Sequence, residues 1–154
     1  MSHQNFLSSL SNETRKSLTK RRDRPGLVHL ALHWGLIVIL GLAIHLGLPG
    51  WQVLLIPQSI LTVFLFSLLH ESVHRTSFRT GWLNDLTAHV SGFFIFLPST
   101  WFKYFHFAHH RFTQIPGKDP ELAIEKPKTK LNYIKYISGI PTWKSNFRTL
   151  IKNA

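Results

Sequence analysis

The sequence predicts an all-α integral membrane protein with two transmembrane helices in a hairpin, a short re-entrant or interfacial apolar helix, and amphipathic surface helices. The main observation is a run of 46 residues, from Pro25 to His70, that contains no Asp, Glu, Lys or Arg. One bilayer-spanning helix needs about 20 apolar residues, so this run is long enough for two. The second observation is that basic residues flank the apolar segments, as they do where a chain meets anionic lipid headgroups.

The chain has 154 residues, a net charge of +11 and no cysteine. Its length is enough for one domain. The charge does not indicate nucleic-acid binding, because the basic residues do not interleave with aromatic side chains that could stack on bases. The absence of cysteine excludes disulfides, thiolate zinc sites and cysteine-ligated iron–sulfur clusters.

Residues 1–25 form a polar, basic tail, which we expect to be cytoplasmic and without regular structure. It is not the start of a cleavable signal peptide, because the apolar run that follows is too long and lacks a small-residue cleavage site. Six basic residues end the tail: Arg15, Lys16, Lys20, Arg21, Arg22 and Arg24.

The apolar run divides into two predicted spans, residues 26–48 and 52–69, joined by a short turn that contains Pro49 and Gly50. Six basic residues precede the first span and none lies in the turn, whereas Arg75 and Arg79 follow the second span. The positive-inside rule therefore predicts a multi-pass protein with a cytoplasmic N-terminus and a cytoplasmic segment after the second span.

A third apolar stretch, residues 88–102, is short for a span and contains Gly92 and Pro98. We therefore predict a re-entrant or interfacial helix that returns the chain to the side it left. Residues 113–130 are predicted to be loop. Residues 131–151 alternate basic and apolar side chains at nearly helical spacing, broken near Gly139 and Pro141, which predicts helices lying on the membrane surface.

Two histidine clusters follow the second span and the third apolar stretch. The first, box one, is His70-Glu71-Ser72-Val73-His74, and the second, box two, is His106-Phe107-Ala108-His109-His110. Residues three and four positions apart share one face of a helix, so the rings of each box converge. A catalytic zinc ion uses about three protein ligands, so five histidines favour a site for two metal ions, and imidazole suits iron.

Box one matches three different patterns. As H-E-x-x-H it is the zinc metalloprotease motif, with Glu71 as general base; a membrane protease would need a further ligand such as Asp119 and would leave box two unused. As E-x-x-H it fits the di-iron helix bundles, but the sequence has no second such pair. As H-x-x-x-H it pairs with box two.

Box one, Arg75, Leu83-Asn84, box two with Arg111-Phe112-Thr113, and Asp119-Pro120-Glu121-Leu122 together resemble the membrane fatty acid desaturase and hydroxylase superfamily. The resemblance covers roughly half the chain. It implies two iron ions, with zinc as the alternative metal. The implied ligands are His70, His74, His106, His109 and His110, and His89 is a further candidate. Glu71 and Asp119 are the implied acceptors for imidazole N–H groups, which orient the rings.

The implied function is O₂-dependent desaturation of an acyl chain in lipid metabolism, with electrons from a ferredoxin-type or cytochrome b5-type donor. The alternatives are a related hydroxylase or ketolase acting on an alkane or carotenoid, a membrane zinc protease of the H-E-x-x-H type, and a non-catalytic fragment. The family has a third box after a further pair of spans, and this chain has no histidine after His110. The resemblance therefore implies that residues 26–154 are the N-terminal part of an incomplete desaturase fold.

Three smaller expectations concern single residues. His29 and His33 lie four positions apart in the first span, where hydrogen bonding between helices is expected. His45 lies at the other end of that span and is expected to be structural. Gln114 stands where relatives of the superfamily often carry Asn.

Overall fold

The computed structural model describes residues 3–123 and 126–153. Within these two ranges all regular structure is helical. The chain divides into two compact units, Met1–Phe105 and His106–Ala154, and the boundary falls inside one helix.

Eight α-helices and one short 3₁₀ turn are described. In chain order they are α1 His3–Ser9, α2 Asn12–Leu18, α3 Asp23–His45, α4 Trp51–Val73, α5 Gly81–Phe94, α6 Ser99–Phe112, the 3₁₀ turn Pro120–Leu122, α7 Lys130–Ile137 and α8 Ile140–Asn153.

The two predicted apolar spans are confirmed as helices α3 and α4, of 23 residues each. Both are long and apolar enough to cross a membrane, and they pack against each other. Their bounds differ from the prediction. Helix α3 begins at Asp23, and α4 continues past residue 69 to Val73, so box one lies on the last turn of α4 rather than after it.

The prediction of a tail without regular structure is wrong. Two helices of seven residues, α1 and α2, lie in it. The side chain of Ser11 caps α2 by accepting a hydrogen bond from the backbone N–H of Thr14 at 3.1 Å, which satisfies one of the unpaired donors at a helix start. Glu13, Arg15 and Lys16 then continue with high helix propensity. The described side chains of these helices are exposed or half-buried.

The third apolar stretch is not one short helix, and that prediction is wrong. It holds the end of α5 and the start of α6, separated by residues 95–98. Phe96 adopts a left-handed backbone conformation with φ 56°, and Pro98 has no N–H to continue a helix. The N–H of Leu97 donates to the carbonyl of Gly92 at 2.8 Å and closes the turn.

The buried core of the first unit lies where α4, α5 and the start of α6 meet. Leu69 and Val73 of α4 pack against Ala88 of α5 and Phe102 of α6, with Ile95 and Leu97 beside them. Three small residues of α5 are buried here, namely Ala88, Ser91 and Gly92. Short side chains let two helix backbones approach closely, so this face holds the last turns of α4 at a defined position.

A buried asparagine holds the loop between α4 and α5. The side chain of Asn84 accepts from the N–H of Phe78 at 3.2 Å and donates to the carbonyls of Phe78 at 2.9 Å and Thr80 at 3.0 Å. At the start of α3, Asp23 accepts from the N–H of Thr80 at 2.8 Å and from its hydroxyl at 2.7 Å. These contacts fasten the segment that follows box one to α3 and α5.

The second unit carries the surface helices. The predicted break near Gly139 is confirmed: α7 ends at Ile137, α8 begins at Ile140, and Gly139 has φ 68°. Pro141 lies in the first turn of α8 rather than in the break, because the first turn of a helix tolerates a missing N–H. The apolar residues of α7 are exposed, as are Ile140 and Phe147 of α8, and the membrane-surface location of both helices stays a prediction.

We predict that Gly92→Ala destabilises the protein by roughly 1–3 kcal/mol, the usual cost of overpacking a close contact. A Cβ atom at position 92 would collide with the backbone carbonyl oxygen of Leu97, and a backbone atom cannot move aside as a side chain does. Thermal unfolding of the purified protein in detergent measures the effect.

Gly35→Ala is the matched control, because nothing lies within 4 Å of a Cβ atom at position 35 in the middle of α3. We expect it to be neutral or to raise stability by up to about 1 kcal/mol, as alanine does relative to glycine within a helix. Equal stability of the two variants would contradict the proposed close approach at Gly92.

Candidate metal centre

Box one is presented by the last turn of α4. His70 lies in that turn, and His74 is the C-cap residue that directly follows Val73. Their ring centroids are 4.8 Å apart, and both rings are half-buried. The i, i+4 spacing thus places both imidazoles on one face, as the sequence predicts.

A carboxylate is bonded to the first ring of box one. His70 Nδ1 lies 3.0 Å from Glu71 Oε1, and the hydroxyl of Thr76 donates to Glu71 Oε2 at 2.6 Å. When Nδ1–H donates to Glu71, the lone pair of the neutral ring is on Nε2, the atom that can then bind a metal. The structure thus places Glu71 where it can orient His70.

Aromatic side chains pack beside His70. The ring of Phe102 lies 5.4 Å from that of Phe66 and 6.4 Å from that of His70, measured between centroids. Phe102 is buried and belongs to the first half of α6. An apolar wall of this kind keeps water away from the imidazole and limits its rotation.

Box two lies on the second half of α6. The Nε2 atoms of His106 and His110 are 2.9 Å apart, and their ring centroids are 4.4 Å apart. Metal–nitrogen bonds of about 2.0–2.1 Å that meet at a right angle place two ligand nitrogens about 2.9 Å apart. The two nitrogens are thus within hydrogen-bonding distance of each other, and they are close enough for one metal ion to bind both.

The third histidine of box two is held by a buried aspartate. His109 Nδ1 lies 2.8 Å from Asp119 Oδ1. Asp119 also accepts from the N–H of Gln114 at 2.8 Å and from the N–H of Glu121 at 3.0 Å. Three donors and near-complete burial fix this carboxylate, and through it the ring of His109. When Nδ1–H donates to Asp119, the lone pair of the neutral ring is on Nε2.

These contacts shift the pKa values of both partners. The hydrogen bond to Asp119 raises the pKa of His109 above its ordinary value of 6.5; burial opposes this, and the negative charge of Glu121 adds to it. Burial raises the pKa of Asp119, but hydrogen bonds from His109, Gln114 and Glu121 outweigh burial and hold that pKa below 3.8. Asp119 is therefore ionised at neutral pH, as an orienting carboxylate must be.

The turn after box two explains a sequence departure. Gln114 has φ 63°, in the left-handed region that asparagine adopts more readily than most residues other than glycine. The asparagine that the resemblance implies at this position would suit that conformation. Gln114 adopts it here, with its N–H donated to Asp119.

The remaining candidate histidines lie elsewhere. The Nδ1 atom of His89 is 2.7 Å from the carbonyl oxygen of Asp85, one turn earlier in α5, and the side chain is exposed. His33 Nε2 lies 2.9 Å from the carbonyl oxygen of Leu61, which confirms the expected hydrogen bond between the two apolar helices. His29 lines a cleft between these helices, and His45 is exposed at the end of α3.

Sequence reasoning did not predict the contacts of several residues that shape the site. Asp23 and Asn84 fasten the loop after box one, and Phe66 and Phe102 form the wall beside His70. One signal was present for Asp23, which is the last acidic residue before a charge-free run of 46. An acidic side chain at the start of a helix can accept a hydrogen bond from a backbone N–H group.

Comparison with known proteins identifies the family. A sequence model of the family described as fatty acid desaturase matches residues 49–152, which is more than half of the chain. No curated protein matches the chain, and no solved structure does. The predicted resemblance is confirmed, and the match reaches 30 residues past Leu122, through α7 and most of α8. The chain belongs to the fatty acid desaturase family.

Proposed function

We propose that this chain is a membrane oxidoreductase that uses a di-iron centre and O₂ to desaturate an acyl chain. The observation that carries the proposal is the convergence of His106 and His110 at 2.9 Å beside His109, whose Nδ1 is fixed by a buried carboxylate. Members of this family generally hold two irons with histidine ligands.

We propose five ligands, His70, His74, His106, His109 and His110. Both boxes present imidazoles, a ligand that suits iron and that in its neutral form leaves the positive charge of the metal available to attract reduced oxygen.

Side chains next to the proposed ligands orient the imidazoles and shield one of them from water. Glu71 and Asp119 accept hydrogen bonds from the Nδ1–H groups of His70 and His109. The lone pair of each neutral ring is then on Nε2, the nitrogen that binds the metal in this proposal. Phe66 and Phe102 exclude water next to His70. When bound, the two irons supply the redox chemistry that lets O₂ attack an unactivated C–H bond. The net reaction consumes O₂, two electrons, two protons and a –CH₂–CH₂– unit, and yields –CH=CH– and two water molecules.

The membrane arrangement is part of the proposal. Helices α3 and α4 form a hairpin that crosses the bilayer, with the tail and box one on the cytoplasmic side. The bilayer supplies the apolar acyl substrate, and a ferredoxin-type or cytochrome b5-type donor supplies electrons. The concentration of arginine and lysine next to the start of α3 and the end of α4 supports this orientation.

We predict that the full chain, purified from membranes, binds iron through both boxes. His74→Ala and His106→Ala should each lower iron affinity by about 100-fold or more, because even the loss of an orienting partner costs about 10–100-fold. Elemental analysis and a competition titration with a chelator measure this. His45→Ala is the control, since His45 is exposed at the other end of α3. One zinc ion per chain and no iron would overturn the proposal in favour of the protease.

We predict that Asp119→Asn lowers iron affinity by about 10–100-fold. Asparagine has one acceptor oxygen, whereas Asp119 accepts on both, at Oδ1 from His109 and at Oδ2 from Gln114. In the metal-free protein the pKa of His109 should also fall, because its charged partner is removed; NMR titration of the imidazole detects this. Asp85→Asn, which breaks the exposed pair with Arg75, is the control. Unchanged iron affinity in Asp119→Asn would show that the carboxylate has no part in the metal site.

We predict that, if this chain acts as a desaturase in cells, membrane acyl chains gain a double bond and His106→Ala abolishes the product, whereas no product from the chain alone would favour the non-catalytic alternative. Gas chromatography with mass spectrometry of the membrane lipids identifies it. Hydroxylated or ketonic products in place of alkenes would contradict desaturation and assign the same metals to a hydroxylase or ketolase.

A further inference from the structure

Helix α7 in the second unit leaves one apolar face uncovered. Leu131, Ile134 and Ile137 follow one another at a spacing of three residues, so they lie on one side of the helix. Each of these residues is between 59% and 61% exposed. An exposed apolar surface with polar residues at its border marks a site that binds a protein or a membrane.

Helix α8, which packs against α7, combines an apolar face with a basic edge. Ile140, Trp143 and Phe147 are spaced three and four residues apart and are exposed. The rings of Trp143 and Phe147 lie 6.0 Å apart between centroids. Lys144 and Arg148 are exposed, and each directly follows an apolar residue of this face, so both lie along one edge of it. A helix with tryptophan on its apolar side and cations beside it suits a lipid–water interface.

The charge of this part of the chain has a single sign. After Glu125 the sequence contains seven lysine or arginine residues and no aspartate or glutamate. Three of them, Lys126, Lys128 and Lys135, line one cleft of about 370 Å³ in the second unit, and no acidic residue lines that cleft. A cluster of cations without carboxylates among them produces a positive potential that attracts an anionic surface.

An anionic lipid surface provides both kinds of contact that these two helices offer. Its acyl region accepts exposed apolar side chains, and its phosphates attract lysine and arginine. A nucleic acid would provide the charge without the apolar region. The same chain carries two helices long and apolar enough to cross a membrane. The cytoplasmic leaflet is the one that carries anionic lipids, and the proposed orientation places box one on that side.

We propose that α7 and α8 form a docking surface for anionic phospholipids and leave a membrane that lacks them. Their apolar side chains enter the outer acyl region, and the basic residues beside them lie against lipid phosphates. This adds a lipid requirement to the predicted surface location, because apolar contact alone would not distinguish anionic from neutral lipid. The proposal rests on the membrane arrangement of α3 and α4 but not on the di-iron chemistry.

The test places a nitroxide spin label on the full chain in nanodiscs of phosphatidylcholine, with and without phosphatidylglycerol. The chain has no cysteine, so a single introduced cysteine carries the only label. Ile140→Cys puts the label on the apolar face of α8, and Thr142→Cys puts it about 200° further round the helix. Electron paramagnetic resonance then measures access of O₂, which concentrates in the acyl region, and of a water-soluble nickel chelate.

The label at Ile140 should gain access to O₂ and lose access to the chelate when phosphatidylglycerol is present, whereas the label at Thr142 should stay open to the chelate. Adding Lys144→Gln and Arg148→Gln to the Ile140→Cys chain should shift the ratio of docked to undocked helix about 25-fold toward the undocked state, at about five-fold for each cation.

The matched control is Lys16→Gln with Lys20→Gln, which removes two positive charges from the first unit and should leave the label docked. An equal loss of docking in this control would overturn the proposal, because diffuse charge then suffices. Docking in phosphatidylcholine alone would overturn it too, because apolar contact then suffices. A label at Ile140 that stays open to the chelate in both discs would also overturn it and leave the apolar faces to a protein partner.

Two further measurements separate this proposal from the others. Circular dichroism of each variant tests whether helix content is retained, so that loss of docking is not confused with loss of folding. His106→Ala should lower iron affinity and leave the depth of the label at Ile140 unchanged. A label that leaves the membrane in His106→Ala would show that docking depends on the metal site and would overturn the proposal.

Discussion

The close approach of backbone at Gly92 is the constraint on which the first unit depends. The carbonyl of Leu97 occupies the space that a Cβ atom would fill, and the N–H of Leu97 bonds to the carbonyl of Gly92. This contact ends α5 and lets α6 begin after only four residues. Phe102 can then pack on Leu69 and Val73 of α4 and beside His70. The position of box one is thus set by a turn about twenty residues away in the chain.

The two boxes use the same chemical device with different rigidity. In each, a carboxylate lies within hydrogen-bonding distance of the Nδ1 of one histidine, which leaves the lone pair of the neutral ring on Nε2. Glu71 follows His70 directly on α4 and is exposed, with Thr76 as its other partner. Asp119 comes from a loop, is buried, and accepts three hydrogen bonds. The histidine of box two that contacts a carboxylate is therefore held more rigidly than that of box one. The residue that holds it, Asp119, lies in a loop.

Helix α4 has three faces with different surroundings. Leu65, Leu69 and Val73 pack into the core. His70 and His74 lie on a second face, and residues 64, 67, 68 and 71 line a cleft on a third. A membrane helix can divide its surface in this way because lipid, unlike water, does not require its remaining apolar residues to be buried.

Local patterns in the sequence determined the helices and the histidine pairs. The charge-free run predicts α3 and α4 because bilayer thickness sets the length of an apolar helix, and i, i+4 spacing brings His70 to His74 and His106 to His110 because a helix has 3.6 residues per turn. Only the tertiary structure decided that the stretch around Pro98 is a turn, that Asn84 and Asp23 hold the loop after box one, and that Arg21 lies on the carbonyl of Arg75. The contacts of Asp23 and Arg21 join residues that are 57 and 54 positions apart in the chain. Periodicity says which face a residue occupies, but not which distant partner that face will meet.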